Sequence, residues 1–496
     1  MSSSNSPQAR PEAVRIEPYV WKIVGVVILG MIMSILDTTI VNVALDTLSK
    51  DLHSTISQIQ WVATGYLLSL AAVIPLTGWA ARRFGAKRVY IGSVVLFTLG
   101  SALCGLASSS TSLVAFRVLQ GVGGGMIMPV AQMIMAEVAG PKRMGKVMGV
   151  TVMPAMLAPI LGPVVGGLIL EHFAWQWIFF VNVPIGIVGV VLGLLMLPDS
   201  ELGAAGRLDY LGLALMVTGM PLVVYGLSEI GTTGSFTAAQ VVWPIVAGLA
   251  LSAAFVRHAL RAERPLLDVR LYANRIFGSA SLTTFFLGAA LFGAMILVPL
   301  YYQQVRGESV VATGLLTGPQ GLGMLCVAPF TARLTERFGG GRVAIVGVSL
   351  LALSTLPLAL IGADTSIVVI SATLLLRGVG IGLAFMPTMT VSYASLRKDQ
   401  LSDATPQMNV LQRVGGAIGT ALLAVVLQRA SAGASTPAEL AGAFGTAYWW
   451  SLGLAAAALL PCVVLLRAED RLRLQGAAER RAEEEIAEAG VESLGA

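Results

Sequence analysis

The sequence predicts an all-α membrane protein with fourteen transmembrane helices, arranged as two six-helix pseudo-repeat halves with two extra helices between them. Three observations carry that expectation. Of 496 residues, 56% are apolar and only 12% charged. That is about half the charged share of a soluble domain, too little to cover a water-facing surface. Apolar runs of about eighteen residues or more recur along the chain, each able to cross a ~30 Å hydrocarbon core as helix. Lys and Arg gather in alternate connections, as they do when short loops face the cytoplasm. A β-barrel is excluded, because its strands would alternate apolar and polar residues.

The spans fall at roughly 20–45, 56–79, 89–107, 112–137, 145–170, 176–197, 208–229, 240–260, 276–303, 311–333, 343–361, 367–392, 405–428 and 444–466. Residues 1–19 form an N-terminal tail, 20–198 the first half, 199–264 the two inserted linker helices, 265–466 the second half and 467–496 a C-terminal tail. Gly, Pro or charged residues mark most connections, among them Arg82–Arg88, Gly140–Lys146, Pro198–Arg207 and Gly339–Arg342. An even number of spans puts both termini on one side. Of 32 Lys and Arg, 26 fall on that side, and only Lys50, Arg306 and Arg429 on the other. Arg117, Arg377 and Arg413 remain inside spans. Both termini are therefore expected in the cytoplasm. The same bias explains the basic balance without a nucleic-acid partner.

An internal repeat follows. Gly78–Val89 aligns without gaps on Ala332–Val343, sharing Arg-Phe-Gly-x-x-Arg-Val, and Gly121-Val-Gly-Gly-Gly125 resembles Gly378-Val-Gly-Ile-Gly382. Paired halves with a site between them near the midplane are the architecture of secondary transporters.

Asp37 interrupts the first span about 22 Å along the helix from Lys22. A carboxylate at that depth costs about 2.5–3.5 kcal/mol on insertion scales, which favours a place facing a cavity or a partner. Desolvation favours the protonated acid and a nearby cation the carboxylate, so a change of surroundings can switch the group. That suits a proton carrier with access to a water-lined hollow; a structural hydrogen bond to a neighbouring helix is the alternative. Arg117 opens Arg-Val-Leu-Gln120-Gly121 in span four. A buried guanidinium needs an anionic or carbonyl partner. Asp37 is the candidate, with packing against carbonyls as the alternative. In span five, Gly162-Pro163-Val-Val-Gly166-Gly167 combines a kink with close helix approach, as a pivot or gate requires.

Other patterns carry less. Gly140-Pro-Lys-Arg-Met-Gly145-Lys146 has phosphate-loop spacing, but Val147 replaces the required Ser or Thr and no buried strand precedes it. The three histidines form no ligand cluster, so no metal site and no cofactor are expected. No nucleophile–base pair lies at one depth, which argues against an enzyme.

These residues resemble the major facilitator superfamily, specifically its fourteen-helix drug:proton antiporter group, over about residues 20–466. The marks are Leu36-Asp37-Thr38-Thr39-x-x-Asn42-x-Ala44-Leu45, the loop Gly78…Arg83-Phe-Gly85-x-Lys87-Arg88, Arg117-x-x-Gln120-Gly121, the Gly162–Gly167 stretch and Trp175-x-Trp177-Ile-Phe-Phe180-x-Asn182-x-Pro184-x-Gly186. The resemblance implies rocking alternating access and a bacterial inner-membrane location. It also implies export of amphipathic, often cationic compounds against protons, with Asp37 and Arg117 as the relay. The driving force is then the proton gradient, and the partners are small substrates, protons and the lipid bilayer, with the protein monomeric. A dedicated exporter of one self-made metabolite, antibiotic or lipid is the alternative.

The chain departs from that pattern in places. Arg82 stands where the family usually has a latching acid, and the second copy carries Glu336-Arg337. Asp46 replaces a proline, Gln176 an arginine, and Gln412-Arg413 looks like a swapped Arg-Gln pair. Expected cavity walls are Gln60, Tyr66, Gln120, Met128, Met153, Phe285, Phe286, Phe292, Gln320 and Asn409. Aromatic and methionine surfaces adapt to varied ligands. Ordinary helix packing is the alternative at each.

Overall fold

A computed structural model describes residues 17–199, 206–235, 237–397 and 400–475, without the side chains of 46, 56–57, 140–146, 148–160, 163, 231–232 and 310–311. Met153 and Pro163 thus lie outside the described side chains. The described residues are helical and contain no strand. In chain order the helices are α1 (Pro18–Asp51), α2 (Ile56–Val73), α3 (Thr77–Phe84), α4 (Ala86–Gly105), α5 (Ser110–His172), α6 (Trp177–Phe180), α7 (Asn182–Met196), α8 (Tyr210–Thr233) and α9 (Ala239–Arg261). They continue with α10 (Arg275–Gln304), α11 (Val310–Phe338), α12 (Gly340–Ala359), α13 (Ile367–Ala394), α14 (Leu401–Ala430) and α15 (Pro437–Ala457).

Local chemistry sets many of the ends. Thr55, Ser109 and Thr436 each close a capping box with the residue three positions on, so α2, α5 and α15 begin with their first amides satisfied. Gly85 and Gly339, aligned in the sequence repeat, take the same turn at φ 86° and 95°. A side chain would be strained at either. Twelve helices among the described residues are long and apolar enough to cross a membrane. With large apolar side chains such as Trp243, Leu195 and Leu360 on the outer surface, this is a multi-pass membrane protein. Two expected spans are not among the twelve, the first of them because it lies partly outside the described side chains. Residues 145–170 form the second part of α5, and 311–333 lie in α11, where Pro319, Pro329, Gln320 and several glycines dilute the apolar character.

α5 needs a geometric comment. A straight helix of its 63 residues would run about 95 Å. Yet Leu113 and Val114 near its start share one apolar cluster with Val165 and Ile169 near its end, against Leu36 and Ile40 of α1. The chain therefore reverses within α5, and both arms lie along α1. Around α5 gather α1, α2, α4 and α11, while α10 packs on α14 and α12 on α13. Helices α8 and α9 pair with each other, and α8 leans on both α2 and α14. Without water to drive association, such contacts depend on close packing. Gly123 of α5 shows it, since a Cβ there would strike the backbone of Ser93 and Phe97 in α4.

Candidate functional site

Asp37 and Arg117 meet in the interior. Arg117 Nη1 donates to Asp37 Oδ2 at 2.6 Å, and the carboxylate and guanidinium are 0% and 1% exposed. Gln120, one turn after Arg117 and so on the same face of α5, donates to Asp37 Oδ1 at 2.9 Å. Asn182, the first residue of α7, donates to the same oxygen at 3.0 Å. Arg117 also donates through Nε to the Val62 carbonyl at 3.1 Å and through Nη1 to Gln120 Oε1 at 2.8 Å. Its guanidinium carbon lies 4.1 Å from the centre of the Tyr66 ring, a cation–π contact. Gly121 allows α2 to come this close, since a Cβ there would meet Ser69 Oγ and the Tyr66 carbonyl.

Two helices, α5 and α7, thus supply the partners of the carboxylate, while α2 supports its guanidinium. Charge-assisted bonds of this kind are short and strong, and a desolvated pair tolerates the loss of neither member. Among the described residues Asp37 is buried against α5 and α7, whose side chains donate to both of its oxygens, and no water-lined hollow opens beside it. The sequence reading paired Asp37 with Arg117, set Gln120 among the cavity walls and missed the role of Asn182, which also donates to Ser101 Oγ at 3.1 Å. Its signal was an amide inside the motif that follows Trp175, in an otherwise apolar run.

The loop after α3 makes a second constellation. Arg82 Nη1 donates to Asp403 Oδ1 at 2.7 Å and to Ser402 Oγ at 2.8 Å, both at the start of α14. Gly78 fits beneath the Ser402 carbonyl, where a Cβ would collide. Lys87 reaches Asp199 at 3.1 Å, while Arg83 and Arg88 are exposed. In the second copy of the motif Glu336 and Arg337 are exposed, and Arg337 stacks on Phe338. There Glu469 supplies the acid, accepting from the Gly340 and Gly341 amides at 3.0 and 2.6 Å. Asn409 of α14 donates to Gln132 of α5 at 2.8 Å, a bond the sequence did not reveal.

Among the described residues, the expected cavity residues are spread over several places. Tyr66 and Gln120 surround the ion pair, and Asn409 is buried in the contact with Gln132. Phe285 and Phe286 stack edge to face and are half-buried, and Phe292 is exposed over Gly416. Met128 is half-buried against an apolar cluster that includes residues of α1, α4 and α5, Gln320 is half-buried on α11, and Gln60 is exposed near the start of α2. Gly162 and Gly166 lie against Thr39 and Ile40 of α1, whereas Gly167 faces open space.

The comparisons with known proteins agree on a family. The family model described as Major Facilitator Superfamily matches residues 27–420. The multidrug resistance protein B homolog of Mycobacterium tuberculosis is 40% identical over 406 residues, covering 81% of this chain and 75% of that one. The multidrug export protein EmrB of Haemophilus influenzae is 30% identical over 397 residues, 79% of this chain and 78% of its own. Among solved structures, the proton:xylose symporter XylE shares the fold at a TM-score of 0.62 and 16% identity, over 89% of this chain and 94% of that one. The chain belongs to the major facilitator superfamily, in its drug:proton antiporter group, and is a transporter and not an enzyme.

Proposed function

We propose that this protein exports amphipathic small molecules from the cytoplasm in exchange for protons. Two six-helix halves, with the linker helices between them, rock around a central path in a fourteen-span chain. Both termini lie in the cytoplasm of a cell with a proton-energised inner membrane, and the monomer works without a cofactor. The boundaries follow the sequence reading, with halves at 20–198 and 265–466 and the linker at 199–264.

The observation that supports coupling is Asp37, held mid-span by Arg117, Gln120 and Asn182. Such a charge is retained in a membrane helix where it serves a function. In the sealed conformation neither side of the membrane reaches it, so proton exchange belongs to states in which α1 and α5 part. Arg82–Asp403 and Asn409–Gln132 then hold closed the end of the path where α14 begins. Proteoliposomes with an imposed pH gradient test the reading. Wild-type protein is expected to concentrate a transported dye, and Asp37→Asn to equilibrate it only. Equal accumulation by both would refute coupling through Asp37.

A further inference from the structure

Three guanidinium groups lie inside the spans, and they are not equivalent. Arg117 has Asp37. Arg377 is buried and donates to Thr355 Oγ1 and the Ala290 carbonyl. Arg413 is half-buried on α14 and makes no hydrogen bond or ion pair among the described residues. It lies about 15 Å along the helix from Asp403, well inside the membrane.

Its neighbours locate it. Gly415 and Gly416 press against Phe285 and Phe292 of α10, and Val410 and Val414 pack with Trp79 and Met216. Asn409, one turn before Arg413 and on the same face, bonds to Gln132 of α5. Arg413 is also within electrostatic reach of Tyr66 of α2. It therefore stands where α14 meets α10, α2 and α5, half-buried in that contact. The acid nearest that region in the ion-pair cluster, Asp37, has both oxygens engaged.

An unmatched guanidinium at this depth is costly unless something anionic completes it. We propose that Arg413 is the specificity-determining residue of the transport path, recognising a carboxylate or sulfonate on an amphipathic cargo. Planar, permanently charged and rich in donors, it suits bidentate capture of such a group. This rests on the exporter reading and changes its substrate class, because the family resemblance implies cations.

Two probes of one scaffold test it: dansylglycine, which carries a carboxylate, and its quaternary ammonium counterpart, the dansylaminoethyl-trimethylammonium cation. Full-length protein is placed in phosphatidylcholine vesicles with fluoride as bulk anion, so that no anionic lipid, chloride or competing carboxylate supplies the charge. Equilibrium binding and pH-driven transport are measured for wild type, Arg413→Gln and Arg413→Lys. Wild type is expected to bind dansylglycine at least tenfold tighter than the cation. Arg413→Gln abolishes that preference while its melting temperature holds or rises, and Arg413→Lys retains part of it. Absence of dansylglycine binding, the same preference in Arg413→Gln, or an equal loss for both probes overturns the inference. Arg413-dependent binding without transport leaves the inference standing and refutes the exporter reading. Transport of the cation alone, unchanged by Arg413→Gln, does the reverse.

Discussion

Arg82 at the end of α3 and Asp403 at the start of α14 are 321 residues apart in sequence and 2.7 Å apart in space. The cation sits at the end of α3 and the anion at the start of α14, whereas the family resemblance implies an acid in the loop after span two. The pair is partly exposed, at 24% and 18%, so it stabilises closure by about 0.5–1 kcal/mol. Arg82→Ala is expected to raise the population opened at that end about two- to fivefold, read as cysteine-labelling rate at a site under the contact. Arg82→Asp combined with Asp403→Arg should restore the wild-type rate. An unchanged rate in the single variant would mean that the pair does not latch.

Removing either half of the Asp37–Arg117 pair leaves the other charge buried. Arg117→Gln is expected to cost about 3–5 kcal/mol, and Arg117→Gln with Asp37→Asn to recover most of it. Gradient-driven transport stays lost in both. Thermal unfolding in detergent checks the first half of this expectation and vesicle uptake the second.

Gly121→Ala puts a methyl group onto Ser69 Oγ and the Tyr66 carbonyl. Overpacking of that kind costs about 1–3 kcal/mol, whereas Gly167→Ala, with nothing within 4 Å of its Cβ, should stay within about 0.5 kcal/mol of wild type. Melting temperatures of the two variants, compared side by side, decide it.

Asn182→Ala deletes one donor to Asp37 and one to Ser101. Losing a partner to a buried charged group costs about 1.5–3 kcal/mol. The expected result is a melting point below that of Asn182→Gln, which can still offer an amide.

Much of this was legible in the sequence because charge in hydrocarbon is expensive. Asp37, Arg117 and Arg413 stand out in apolar runs for that reason, and so do the alternating basic loops. Neutral amides carry a weaker signature. Asn182 and Gln132 take their meaning from helices far away in sequence, and Asp403 gives no sign of its pairing with Arg82. The cavity residues were chosen by type alone, and type does not say which way a helix is turned: Gln120 and Tyr66 serve the ion pair instead. The repeated Arg-Phe-Gly motif, read as a connection between spans, has one backbone geometry at Gly85 and Gly339, but the acid partnering its second copy, Glu469, lies well over a hundred residues downstream.

The reversal of α5 has a mechanical consequence. One arm holds Asp37 through Arg117 and Gln120, and the other rests on Thr39 and Ile40, two and three residues further along α1. A single element thus pinches a short stretch of α1 from both directions, while also leaning on α11 across the seam. Movement of α5 is thereby tied, on both of its arms, to the stretch of α1 that carries the carboxylate.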